Sequence, residues 1–266
     1  TLFRSLLSHY YLGIYNTPVD SSTVDKEYYH QILTYLKRSG SDQTVALNSD
    51  VLVNIDLNQV FHLHNVTKQK VTVVYKKLPK ELISDVNSIL EIDESDKVLS
   101  HELFQGGDKE AYNMSTDIFV VDTPFLIAKL EEEAAKEEPR KLRYVLRDLA
   151  VAENAFAYEH TGYLSNIHSV KAYFDANLDM LESHKFYKLF APNQKVYTKV
   201  KNEEPTYYAT SSDVKVSQFA SGSIVRGKVE HSVVSRNVDV AEGSSVSHSV
   251  LFPRVKVGKG ATVEYA

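Results

Sequence analysis

From about Ala191 onward helical periodicity disappears, and aliphatic residues return at Ile224, Val229, Val234, Val240, Val246, Phe252, Val257 and Val263. The spacing is five or six, with small residues, Asn and Gly between. Strands of a sandwich alternate with a period of two and cannot hold such a register. A repeat near six is the mark of hexapeptide β-helices, whose coils stack to bury one aliphatic column. Residues 191–266 are therefore expected to form a connector, bracketed by Pro192 and Pro205, and then a left-handed parallel β-helix of hexapeptide repeats.

Residues 1–190 read differently. Strand-like and helix-like periods alternate, which points to an α/β layer architecture. Ser22 to Asp25 is a capping-box pattern, Tyr28, Ile32 and Leu36 recur at helical spacing, and Gly40 is a stop. Val45, Ala46 and Leu47 read as a buried strand, with Asn48, Ser49 and Asp50 at its carboxyl end. Asp56 can cap a helix through about Lys68, and Val71 to Tyr75 is a β-branched strand. Ile89–Ile92 and Val98–Leu103 suggest a hairpin, and Thr116–Val121 another buried strand. Thr123-Pro124 opens a helix with threonine as cap, and the acidic run Glu131–Glu138 is expected to be its solvated face. Lys141–Ala150 continues helically, Ala155–Tyr158 is extended, and Ser169 caps an amphipathic helix carrying Val170, Tyr173, Phe174, Leu178 and Leu181. The chain begins at Thr1, and TLFRSLLSHYYLGIY reads as the end of a helix running into a strand. The N-terminal part of the α/β domain is thus expected to lie outside these residues.

Composition narrows the function. Hydrophobic residues at 43% and charged residues at 24% are those of a globular protein with a sizeable core. A net charge of -5 gives no basic field for a nucleic-acid backbone. With no cysteine there are no disulfides, thiolate metal sites or thiol nucleophiles, which fits a reducing cytoplasm. Apolar stretches such as Ile118–Val121 are far short of the ~20 residues that span a bilayer.

Asp50 stands at the carboxyl end of its strand, the edge where open α/β sheets bind ligands, and could be one of the carboxylates that grip Mg²⁺. A strand-end residue serving loop amides is the plainer reading. His62 and His64 are two apart on a helix and share no face, so they do not make a metal pair. The glycines form no phosphate loop of the G-x-G-x-x-G or G-x-x-x-x-G-K-[ST] kind. His231 and His248 lie among the coils, where hexapeptide acyltransferases place a general base, but no acyl-carrier insertion accompanies them.

Ser49-Asp50-Val51-Leu52-Val53, then Ile55-Asp56, resemble a strand-end motif, Gly-Asp-His-Ile-Tyr followed by Met-Asp, of bacterial glucose-1-phosphate adenylyltransferases. Gly162-Tyr163-Leu164-Ser165-Asn166-Ile167-His168-Ser169 is similar to that family's Gly-Tyr-Trp-Arg-Asp-Val-Gly-Thr, and Tyr173 to Asn177 to its Tyr-x-Ala-Asn helix. The resemblance covers nearly the whole chain. It implies a Rossmann-like nucleotidyltransferase domain over 1–190, with its N-terminal part absent, and the β-helix over 191–266.

The departures carry the functional expectation. The family's second metal-binding aspartate falls at Asn166, so metal, if held, would rest on Asp50 alone. The sugar-phosphate lysine segment has no counterpart in Leu103 to Gly107. The family's Ser-Met-Gly becomes Ser115-Thr116-Asp117, a carboxylate expected to repel an anionic substrate. Asp50, Ser115, Asp117 and Asn166 are thus expected to form a vestigial pocket without confident catalytic residues, and Mg²⁺ would belong to the assembled enzyme. The pattern looks like the regulatory D-type subunit, a cytoplasmic partner of a catalytic subunit or a homo-oligomer, acting in glycogen synthesis. The rival readings are a competent sugar-phosphate nucleotidyltransferase and a hexapeptide acyltransferase.

Overall fold

The computed structural model describes residues 23, 24, 26–192, 194–198 and 202–266. The helix-to-strand reading of residues 1–15 lies outside the described residues, as do Ser22 and Asp25 of the capping box. The described residues form two compact units, one within 1–51 and 55–161, the other within 52–54 and 162–266.

The first unit is built on a mixed six-stranded sheet. Its spine is β6 (Ala111–Asp122), which pairs antiparallel with β3 (Val71–Pro79) along one edge. The other edge of β6 holds two strands in succession: β4 (Ser88–Ile92) at its start and β1 (Gln43–Ala46) at its end. The expected hairpin is present, with β5 (Val98–Leu103) antiparallel to β4. β7 (Phe156–Glu159) lies parallel to β3.

Strand alternation sends Val71, Val73 and Tyr75 of β3, with Phe119 and Val121 of β6, into the main core. That core is completed by α1 (Lys26–Ser39, through Tyr29 and Leu36), α3 (Thr123–Ala134, through Leu126 and Leu130) and α4 (Leu142–Ala152, through Val145, Leu146 and Leu149). Thr72, Val74, Ile118 and Val120 are buried on the opposite face. There α2 (Leu57–Thr67) packs, capped by Asp56, whose carboxylate accepts from the Asn58 amide.

Two local expectations change. Thr123 is the first residue of α3 and not its cap, and its hydroxyl is 2.8 Å from that of Thr44. Glu133, in the acidic run, is buried: it accepts from the Arg140 amide at 2.8 Å and pairs with Lys136, clipping the loop that follows α3.

The second unit contains Leu52 and Val53 of β2 (Val51–Val53), which pairs with β8 (Leu164–Asn166), then α5 (Val170–Asp179), α6 (Ser183–Leu189) and the solenoid. Ser169 caps α5 as expected, but Val170 is exposed and Ala176 is its one buried residue among those described. The solenoid has three parallel sheets, with strands at 207–208, 224–225, 239–240 and 256–257 in one, 213–215, 228–230, 245–247 and 262–264 in the second, and 218–219, 233–234 and 250–251 in the third.

Val225, Val229, Val234, Val240, Val246, Leu251 and Val257 fill its interior. The expected column is therefore right except at two places, where the inward residue is Val225 in place of Ile224 and Leu251 in place of the exposed Phe252. Gly227 is needed where coils approach: a Cβ there would lie 2.5 Å from the Ser244 carbonyl oxygen. No helix among the described residues is long and apolar enough to cross a membrane.

Candidate functional site

β1 ends at Ala46, so Leu47, expected in the buried strand, is exposed instead and opens the turn that runs through Asp50 toward β2. Within that turn the Asn48 side-chain amide donates to Asp50 Oδ2 at 2.9 Å, and the Ser49 amide donates to Asn48 Oδ1. Asp50 thus keeps the local role of a strand-end acceptor, and it has a second, stronger partner. Arg143 Nη2 lies 3.1 Å from Asp50 Oδ2.

Arg143 belongs to a longer chain of charges. Its Nε is 3.4 Å from Asp117 Oδ2, and Arg147, one turn further along α4, grips Asp117 with Nε at 3.0 Å and Nη2 at 2.6 Å. Residues four apart on a helix share a face, so α4 presents both guanidinium groups to one carboxylate. Asp117 itself sits at a bulge. The β3–β6 register jumps between Val74 and Tyr75, and Asp117 takes a left-handed φ of 52°, a conformation that aspartate tolerates better than most residues. Ser115 supports the bulge by accepting the Asp117 amide on its hydroxyl, and Thr116 donates its hydroxyl to the Val74 carbonyl.

His101, on β5, completes the surroundings. Its side chain is buried, Nε2 is 2.9 Å from Ser88 Oγ and 4.0 Å from Asp117 Oδ1, and Nδ1 has no hydrogen-bond partner. Burial pushes its pKa down to about 4, against the pull of Asp117 and with the help of Arg147, so the ring is neutral near neutrality.

Two of the ion-paired residues, Asp117 and Arg143, border a cavity of about 180 Å³ that is also lined by Tyr28, Ala46, Leu47, Asn48, Phe119, Leu142 and Leu146. Its charge balance corrects the expectation for Asp117. That carboxylate does not present a bare charge that repels anions, because two guanidinium groups neutralise it within hydrogen-bonding distance. Of the four residues expected to share a pocket, Asp50 and Asp117 are linked by Arg143, and Ser115 braces Asp117. Asn166 is a buried residue of β8 in the other compact unit.

Arg143, Arg147 and His101 were not anticipated. The available signal was two arginines at a spacing of four inside the apolar pattern of Val145, Leu146 and Leu149.

The resemblance to nucleotidyltransferases implies Mg²⁺, which favours carboxylate and water oxygens. The donor set here does not fit it: Asp50 and Asp117 are both committed to guanidinium partners. Among the described residues no group of three or more His, Asp or Glu side chains could hold a metal. His231 and His248 occupy successive solenoid corners, both with left-handed φ, their rings 4.9 Å apart and continued by Tyr265 at 5.0 Å.

Comparison with known proteins agrees with this architecture. A family model for the GlmU-like C-terminal hexapeptide matches residues 199–266. Glycogen biosynthesis protein GlgD of Bacillus subtilis is 27% identical over 214 residues, covering 80% of this chain and 52% of that protein. Glucose-1-phosphate adenylyltransferase of Clostridium acetobutylicum is 25% identical over 80% of this chain and 56% of its own length. The enzyme of that name from Geobacillus stearothermophilus is 25% identical over 92% of this chain and 69% of its own. The chain spans about half the length of the first two relatives. An α/β sheet unit followed by hexapeptide coils, with these matches, makes the chain similar to GlgD and to the glucose-1-phosphate adenylyltransferases over most of its length.

Proposed function

We propose that this chain is the regulatory, catalytically weak subunit of a glucose-1-phosphate adenylyltransferase assembly, which makes ADP-glucose and pyrophosphate from ATP and glucose 1-phosphate for glycogen synthesis. The observation that carries the reading is the ion-pair chain Asp50–Arg143–Asp117–Arg147 at the sheet edge. Phosphoryl transfer depends on preorganised charge free to meet substrate and metal. Here those charges answer one another.

Asn166, in place of the aspartate that the resemblance leads one to expect, supports the same reading. So does the likeness to both GlgD and the adenylyltransferases, since a regulatory subunit would share the frame of its catalytic partner. In this reading residues 1–190 correspond to the nucleotidyltransferase-like part and 191–266 to the connector and β-helix. The partner is a catalytic subunit of the same family or a second copy, and the compartment is the cytoplasm, which a cysteine-free composition fits.

The test is ADP-glucose formation by the full-length protein alone, by a catalytic partner alone, and by the two together. The expected result is little turnover alone and a changed rate or regulation in the mixture. Robust turnover by the protein alone would overturn the proposal.

A further inference from the structure

A guanidinium group stands between two carboxylates beyond the end of β1. Arg143 meets Asp50 through Nη2 at 3.1 Å and Asp117 through Nε at 3.4 Å, so one fixed positive charge bridges both acids. Arg147 holds Asp117 from the other side and keeps it in place at the bulge. The side chain of Arg143 is about one-third exposed at the rim of the cavity, where a solvated ion would arrive.

We infer that Arg143 is a built-in cation that keeps divalent metal out of the Asp50 edge, and that its removal would open this edge to a metal ion. Without Arg143, Asp50 would lose its charge partner and Asp117 would keep only Arg147. Two carboxylates that now share a guanidinium would then face a site rich in oxygen, the ligand type Mg²⁺ and Mn²⁺ prefer. Asn48 turns its amide nitrogen toward Asp50 and its oxygen toward the Ser49 amide, so Asp50 itself is the oxygen donor that the edge would offer.

The inference rests on reading this edge as the ligand edge under the proposed function. Its test uses neither turnover nor a partner subunit, so the two fail separately. Mn²⁺ is titrated into the full chain, and free ion is followed by electron paramagnetic resonance for the unaltered protein, Arg143→Met, and Arg143→Met with Asp50→Asn. The unaltered protein should show no binding that depends on Asp50. Arg143→Met should bind Mn²⁺ about tenfold or more tightly, as expected for freeing an oxygen donor set, and the double variant should lose the gain.

If Arg143→Met does not fold, Arg143→Gln, uncharged and polar, is read in the same way. The unaltered protein offers a check that needs no variant at position 143. Paramagnetic broadening of the Leu47–Asp50 amides by Mn²⁺, abolished in Asp50→Asn, would overturn the inference. A folded Arg143→Met or Arg143→Gln protein that gains no affinity would overturn it as well.

Discussion

His101 and His64 are both buried, and their surroundings give them different consequences. His101 packs its ring against Phe119 and leaves Nδ1 unpartnered, so a proton on it would be a buried charge. With the folded pKa pushed down to about 4, the unfolded chain takes up this proton first as pH falls. Stability is therefore fully present above about pH 6.5 and is lost as pH falls toward about 4, by about 3 kcal/mol in total. Denaturant unfolding of the full chain at pH 7 and pH 4.5 should show a shallower pH slope for His101→Leu than for the unaltered protein. Equal slopes would mean that other groups carry the acid sensitivity.

His64 instead joins elements: Nδ1 is 2.8 Å from the Thr72 hydroxyl, and Nε2 is 3.2 Å from Asp122. This hydroxyl–imidazole–carboxylate order has no route for a substrate, since Thr72 and the histidine ring are buried, and it acts as a brace between α2, β3 and the end of β6. Removing the ring leaves a cavity and an orphaned hydroxyl, so His64→Ala should cost about 2–4 kcal/mol in denaturant unfolding. Neither role was legible beforehand. Helical spacing excluded a His62–His64 metal pair, but a single histidine says nothing about which strand it will face.

At the scale of elements, the solenoid was the most legible part, because each inward aliphatic is dictated by the coil above and below it. The register slipped at Ile224 and Phe252 for a geometric reason: Lys228 pairs with Asp213 and with Ser245, partners 15 and 17 positions away, so the coils are shorter than three full hexads. Val246, with no exposed surface, is paired between Val229 and Val263. Val246→Glu should therefore unfold the coils, seen as loss of hydrogen-exchange protection across 224–264, before any effect on assembly is read.

A polar ladder runs beside that column, invisible to a hydrophobic pattern. The Ser232 amide donates to Ser217 Oγ, the Ser249 amide to Ser232 Oγ, and the Ala266 amide to Ser249 Oγ. In the α/β unit, strand and helix positions followed from alternation and caps, whereas the Asp117 bulge did not. A one-residue irregularity is set by the partner strand and by the arginines of α4, neither of which is local to it.

At the scale of the molecule, composition changes near Ala191, where the connector to the repeat begins, while compaction gathers the chain differently. Residues 162–190 pack with the coils, as when Gln218 donates its side-chain amide to the Met180 carbonyl and Tyr173 meets Phe252. Periodicity reports which residues share an element, and it is silent about which elements share a core.

The second unit is also discontinuous in sequence, because it takes Leu52–Asn54 from far upstream. Asn54 anchors that loan: its side-chain amide donates to the Leu189 carbonyl at 2.7 Å and to the Gln194 carbonyl at 3.0 Å, tying the end of α6 to the start of the connector. Two carbonyls lose their donor in Asn54→Ala, a cost of about 1–3 kcal/mol if they stay buried. The effect should be local. Hydrogen exchange should quicken through α6 and β8 and stay unchanged in β3 and β6, whose ladders involve neither carbonyl. A fragment of residues 162–266, which lacks both Asn54 and the β2 strand that pairs with β8, should show the same loosening in a stronger form. Equal protection of α6 in that fragment and in the full chain would mean that the upstream segment adds nothing to the second unit.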